Sequence, residues 1–191
     1  MVFGGGAALA AVHLHHRTSE DLDFFSMREI ETSTITAIGR SLATPATTVD
    51  IETVGPRTSL VLRRKAKNFG RIDFAYYPFD PIGRRTSWRG MVIESLTDMT
   101  VNKVQAVMTR FRPRDFVDLW FLLREGPNRD LGKLLELVRL KFDVGAQPMG
   151  LASRLLLVRE IEELPKMIRH VTIEKLVTFF EERARLLTEP H

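Results

Sequence analysis

The first residues in this chain whose types and spacing could do chemistry are Asp21 and Asp23, in the stretch HHRTSEDLDFF. On a β-strand, residues i and i+2 share a face, so both carboxylates would point the same way. Like charges that close repel each other, and burial raises the cost. A divalent cation, a neighbouring arginine or plain solvent exposure would each relieve it. The cation reading brings chemistry, because Mg²⁺ is a hard ion that prefers oxygen ligands. A third acid, Asp73, lies in the alternating segment RIDFAYY. If its strand neighbours the first, three carboxylates holding two metals could clamp the attacking and leaving oxygens of a phosphoryl displacement. The alternation equally allows Asp73 a solvent face, since Ile72 and Phe74 point the other way.

Two further features suit a phosphate ligand. Gly4, Gly5 and Gly6 are followed at once by AALAAVHL, a run of strong helix formers. A glycine turn opening a helix lets backbone N–H groups approach an anion closely, although glycines before helices are commonly structural. In NKVQAVMTRFRPRDFVDL, Lys103 and Arg110 lie seven apart, on one face of a helix. Arg114, Asp115 and Asp118 follow in the next helix. Cations suit a triphosphate; Asp118 could act as a base or orient Lys103. A salt-bridged helix surface would use the same residue types.

Other elements must position these groups. The helix after the glycines is expected to end near His15, and DLDFF to be a strand. Residues 26–42 carry apolar side chains at helical spacing, with Ser26 and Glu29 as a capping box. Residues 47–76 read as an antiparallel meander, with turns at GPR and KNFG. MVIE is a short strand. From Ser95 onward the texture is helical: five amphipathic helices, the second opened by Pro113 and closed by Gly126. The expected fold class is α+β, a small mixed sheet in residues 1–94 followed by a helical bundle in 95–191 that completes the site.

Composition narrows the class. The 191 residues are 44% hydrophobic and 27% charged, suited to a globular fold. No apolar run approaches the ~20 residues of a spanning helix, and the N-terminal run lacks the basic start of a signal peptide. With no cysteine, disulfides and thiolate chemistry are excluded, and a cytoplasmic location with no membrane partner is expected. The net charge of +4 would tolerate phosphates. His13, His15 and His16 match no standard metal spacing and are expected to be structural, His16 orienting the loop before the strand. Trp88 among Arg84, Arg85 and Arg89 could grip single-stranded nucleic acid or anchor its loop on the core. Trp120 and Phe179–Phe180 read as core.

Taken together, GGAALA…HHRTSEDLDFF, then IDF, then DMTVNKVQAVMTRFRPRDFVDLWFLL resemble the AbiEii-type nucleotidyltransferases. These are toxin components of type IV toxin–antitoxin and abortive-infection systems, within the DNA polymerase β-like superfamily. The resemblance spans roughly residues 3–125. It implies that Gly5 and Gly6 hold nucleotide phosphates with Arg17 and Ser19 beside them, and that Asp21 and Asp23 bind Mg²⁺ (or Mn²⁺). It implies Asp73 as the third acid and activator of the attacking hydroxyl, Lys103 on the triphosphate and Asp118 in support of catalysis, with Asp115 a structural partner of Arg110 or Arg114. The implied reaction moves a nucleoside monophosphate from NTP to an acceptor, notably RNA such as a tRNA end, with a cognate antitoxin as partner. Family members carry helical sequence ahead of the glycine motif, which here begins at residue 4. A shortened start would leave the glycine turn less supported. The alternative expectation is therefore a nucleotidyltransferase-fold module that binds without catalysis.

Overall fold

The computed structural model describes residues 1–189. Its centre is a seven-stranded mixed sheet in the order β3-β4-β5-β2-β1-β7-β6. β1 (Val2–Gly4) lies antiparallel to β2 (Asp21–Ser26) and pairs in parallel with β7 (Met91–Ile93). β3 (Thr48–Val54), β4 (Arg57–Arg64) and β5 (Lys67–Tyr76) form the expected antiparallel meander. The meander joins the rest through a parallel pairing of β5 with β2. β6 (Thr86–Trp88) closes the far edge as a hairpin with β7.

The two faces of the β2–β5 pair differ in kind. Phe24 and Phe74 stack at 5.7 Å on one face. There Phe74, Leu60 and Ile35 form a small core beneath α2 (Thr32–Leu42). The opposite face carries Asp21, Asp23 and Asp73, as the period of two requires. Two expectations are corrected in this region. Ser26 does not cap a helix: it is the last residue of β2, paired with Tyr76, and α2 starts only at Thr32 after Glu31. Ladder pairing of β2 takes Ser26 before a cap could form. KNFG is not a turn either, since Lys67–Gly70 already belong to β5. The reversal is made by Lys65 and Ala66, both with positive φ. Neither residue advertises that conformation, which glycine and asparagine usually supply.

The helical half is α3 (Leu96–Thr109), α4 (Pro113–Glu125), α5 (Leu131–Phe142), α6 (Pro148–Leu155) and α7 (Ile173–Thr188). Ser95 caps α3 by accepting from the Asp98 N–H, and Asp130 caps α5 by accepting from Gly132 and Lys133. The long helix expected from LASRLLLVREIEELP is shorter: α6 passes at Leu156 into a 3-10 turn ending at Glu160. The main core runs from Phe3, Leu9 and Ile93 through Phe116, Phe121 and Trp120 to Phe180. Trp120 and Phe180 are core, as expected. Among the described residues no helix is long and apolar enough to cross a membrane.

Candidate active site

β1 ends at Gly4 and the chain turns directly into α1 (Gly5–Ala8), which continues as a π-helical stretch over Leu9–Leu14 and stops at left-handed His15. Gly5 has φ +63°, a conformation glycine adopts at little cost. A Cβ there would overlap the Asp23 carboxylate, and one at Gly6 would come within 2.5 Å of Arg17 Nη2. The glycines thus let the backbone lie directly against the acid and the arginine. Gly5→Ala is expected to cost about 1–2 kcal/mol through left-handed strain alone. It should also displace Asp23; thermal melts and Mg²⁺-dependent nucleotide binding would both register the change.

The parallel register sets Asp23 directly beside Asp73, and Asp21 beside Arg71. Asp73 is buried. Its Oδ1 accepts hydrogen bonds from Ser59 Oγ at 2.6 Å and Arg71 Nε at 2.8 Å, and Arg57 Nη1 lies 3.5 Å from its Oδ2. Asp21 is half-exposed with Arg114 Nη1 at 3.6 Å. Burial pushes the Asp23 carboxyl above its ordinary range; the Asp73 and Asp21 charges add to this, while Lys103 and Arg57 oppose it. Among the described residues no three His, Asp or Glu side chains close into a ready-made metal cage. The donor chemistry nonetheless fits a hard cation. Two carboxylates share a strand face, a third lies in register beside them, and the middle one pays for a charge that a cation would neutralise.

Behind the carboxylates lies a buried ionic cluster. Asp118, wholly buried on α4, accepts from His16 Nε2 at 2.7 Å and from Arg17 Nε and Nη2 at 2.6 and 2.9 Å. Lys103 Nζ sits between Asp118 at 2.7 Å and Asp115 at 2.6 Å, and Arg110 Nε reaches Asp115 at 2.8 Å. Burial alone would raise Asp118. Lys103, Arg17 and His16 more than reverse that and hold it far below the usual carboxylate range. Asp115 is held low by Lys103 and Arg110 in the same way, against its own burial. Asp115 therefore pairs with Arg110, while Arg114 turns to Asp21.

A cleft of about 240 Å³ opens over this floor. Gly5, Gly6, Arg17, Ser19, Lys103 and Arg114 line it together with Phe25, Tyr77, Glu94, Asn102 and Phe142, while Asp21, Asp23 and Asp73 are not among its lining residues. Burial pushes Glu94 above its ordinary value, against the pull of Lys141 and Asn102. Of the expected site residues, the fold gathers Gly5, Gly6, Arg17, Ser19 and Lys103 on this cleft, with Asp23 against Gly5. Asp118 lies beneath, behind Arg17 and Lys103. Asp73 stands beside Asp23 with its carboxylate taken up by arginine and serine. Trp88 does not offer an open stacking face: it packs against the core with Arg89 over its ring at 4.8 Å. His16 is structural, tied to Asp118. Reading the sequence for site residues passes over Glu94, Asn102 and Tyr77; the one available signal is a glutamate closing the apolar strand MVIE.

A mixed sheet with a glycine turn, strand carboxylates and a helical half beside it is the arrangement of a nucleotidyltransferase. The family model described as "Nucleotidyl transferase AbiEii toxin, Type IV TA system" matches residues 1–185. The chain belongs to that family. Among solved structures it is similar to JHP933 from Helicobacter pylori, at 22% identity and a TM-score of 0.62, covering 97% of this chain and 82% of that one. It is also similar to MenT4, the nucleotidyltransferase toxin Rv2826c of Mycobacterium tuberculosis H37Rv, at 15% identity and a TM-score of 0.61, covering 100% and 76%. At these identities the likeness supports the fold. No curated protein matches the chain in sequence.

Proposed function

We propose that this protein transfers a nucleoside monophosphate from an NTP to an acceptor hydroxyl, with RNA, notably tRNA, as the acceptor. The observation that carries this reading is the register of Asp23 beside Asp73, with Asp21 on the same face and Gly5 against Asp23. Asp21 and Asp23, with Asp73 beside them, would hold Mg²⁺ or Mn²⁺. When bound, such an ion supplies Lewis-acid stabilisation of charge on the transferring phosphoryl group. Gly5 and Gly6 let backbone N–H groups approach the phosphates. Arg17 and Lys103 set positive charge on the same wall, and Asp118 fixes both, so Asp118 acts by positioning. Asp73 accepts the proton of the attacking hydroxyl once Arg71 turns away. The acceptor oxygen then bonds to the α-phosphorus, the bond from that phosphorus to the bridging oxygen breaks, and pyrophosphate leaves. A cytoplasmic toxin held in check by a cognate antitoxin is the setting this chemistry suits.

Incubating the protein with Mg²⁺, each α-labelled NTP in turn and total tRNA tests the reading. Label is expected on RNA from at least one nucleotide. No transfer from any NTP to any RNA would overturn it in favour of a fold that binds without catalysis.

A further inference from the structure

A second groove, of about 780 Å³, meets the nucleotide cleft at Arg114, which lines both. Arg112 and Pro113, where α4 begins, line it too, together with Glu160, Glu162 and Glu163. The chemistry proposed above gives this groove no role. It also leaves two arginines outside the nucleotide cleft, Arg57 and Arg112.

These arginines flank the row of carboxylates. Arg57, the first residue of β4, has half of its side chain exposed, and its Nη1 lies 3.5 Å from Asp73 Oδ2. Arg114 Nη1 lies 3.6 Å from Asp21 Oδ2. Both separations exceed an ordinary N–H···O length, so most of the guanidinium donors stay open. Arg112, two residues before Arg114, is exposed and has no ion-pair partner among the described residues. Like charges crowd it. Arg112 is held below its ordinary value by partial burial first, then by Arg110 and Arg114, with Arg57 adding from the sheet, against the pull of Asp115. Arg57 and Arg112 belong to different halves of the molecule, yet the charge of one reaches the other. An anion held between them relieves that repulsion.

We infer that Arg57, Arg112 and Arg114 hold backbone phosphates of a nucleic-acid acceptor beside its attacking hydroxyl. The inference rests on the nucleotidyl-transfer reading above and assigns residues to the acceptor. At a strand end, one sugar joins the terminal hydroxyl to the nearest backbone phosphate. A hydroxyl delivered to Asp73 therefore brings a phosphate toward Arg57. Guanidinium forks match phosphate oxygens two by two. A serine or threonine hydroxyl of a protein brings no such anion, and the phosphates of the NTP meet Arg17 and Lys103 in the cleft. Glu160, Glu162 and Glu163 repel a polyanion and so keep it to the arginine edge of the groove. Contacts of this kind position the strand and read no base.

The test is equilibrium binding of a short single-stranded RNA, and separately of each NTP with Mg²⁺, over a range of salt. Arg57→Ala and Arg112→Ala are each expected to weaken RNA binding about tenfold, the scale of one charged hydrogen bond. Each is also expected to flatten the slope of log affinity against log salt by about 0.7, the share of one phosphate on a single strand. NTP affinity is expected to stay within about twofold, well short of a lost hydrogen bond. Absence of RNA binding by the wild type, or RNA affinity and salt slope unchanged in both variants, would overturn the arginine rim and leave nucleotidyl transfer standing. Weakened NTP binding with RNA binding intact would overturn it too, by giving the arginines to the nucleotide. A glutamate-rich peptide bound through the same arginines in place of RNA would overturn it in favour of a protein partner. Arginine-dependent RNA binding with no label transferred from any NTP would instead overturn the transfer reading and leave the rim as a nucleic-acid site.

Discussion

Asp23→Asn is expected to abolish nucleotidyl transfer while making the protein more stable. The carboxylate is half-buried beside two others, and desolvation and their charges raise it, so the fold carries part of the cost of its ionisation. The sign follows from linkage. A carboxyl whose folded value is raised binds its proton more tightly in the native state, so stability falls as pH rises through the unfolded value toward the folded one. The penalty is fully present above the folded value and absent below the unfolded one, near pH 4. Asparagine keeps the shape and removes the charge. Transfer should fall by about 10³-fold or more, since electrostatic stabilisation by a bound metal is worth several kcal/mol and each 1.36 kcal/mol is tenfold. The melting temperature at pH 7.5 should rise, and the gain should shrink as pH is lowered toward 4. Label transfer and melting curves taken on one preparation check both halves. Retained transfer would remove Asp23 from the chemistry; lost stability would mean that the native state already compensates the charge.

Asp118→Ala is expected to be the most destabilising single change at the site, by about 3–5 kcal/mol, the usual consequence of removing one partner from a buried ion cluster. Arg17, His16 and Lys103 would all lose the group that Asp118 now supplies to each of them. Urea unfolding at pH 7 measures the loss, and NTP binding should weaken with it because Arg17 and Lys103 lose their anchor. The pH dependence has the opposite sign to that of Asp23. Asp118 and Asp115 are both held low, so their stabilisation is fully present above the unfolded carboxyl value near pH 4 and is lost as pH falls below it. In Asp118→Asn that acid-linked loss should be smaller than in the wild type. An unchanged acid profile would assign it to other carboxylates.

The sequence by itself determined what depends on near neighbours. The period of two in DLDFF places Asp21 and Asp23 on one face. Gly5 before an alanine-rich run marks a turn into a helix. Ser95, Pro113 and Gly126 bound their helices through local capping and backbone chemistry. These are short-range effects, readable wherever they occur. Lys103 lies on α3 and Arg110 is the extended residue just past its end, so helical spacing did not set the side of Arg110, although both meet Asp115.

Only the tertiary structure decided which strand lies beside which. The alternation in RIDF left Asp73 free to face either way. The parallel pairing of β5 with β2 set it beside Asp23, and the pairing of β5 with β4 gave its carboxylate to Ser59 and Arg71. The same ladder took Ser26 from its expected cap, because strand hydrogen bonds with residues fifty positions away outrank a local capping pattern. Tyr77 follows β5, Glu94 follows β7 and Asn102 lies on α3, and none of their spacings is periodic. Packing of α3 over the sheet brings them to one wall and leaves a carboxylate oxygen there without a partner. Hydrogen-bond capacity left unspent is a property of the assembled fold, because it is what remains after every distant partner has been placed.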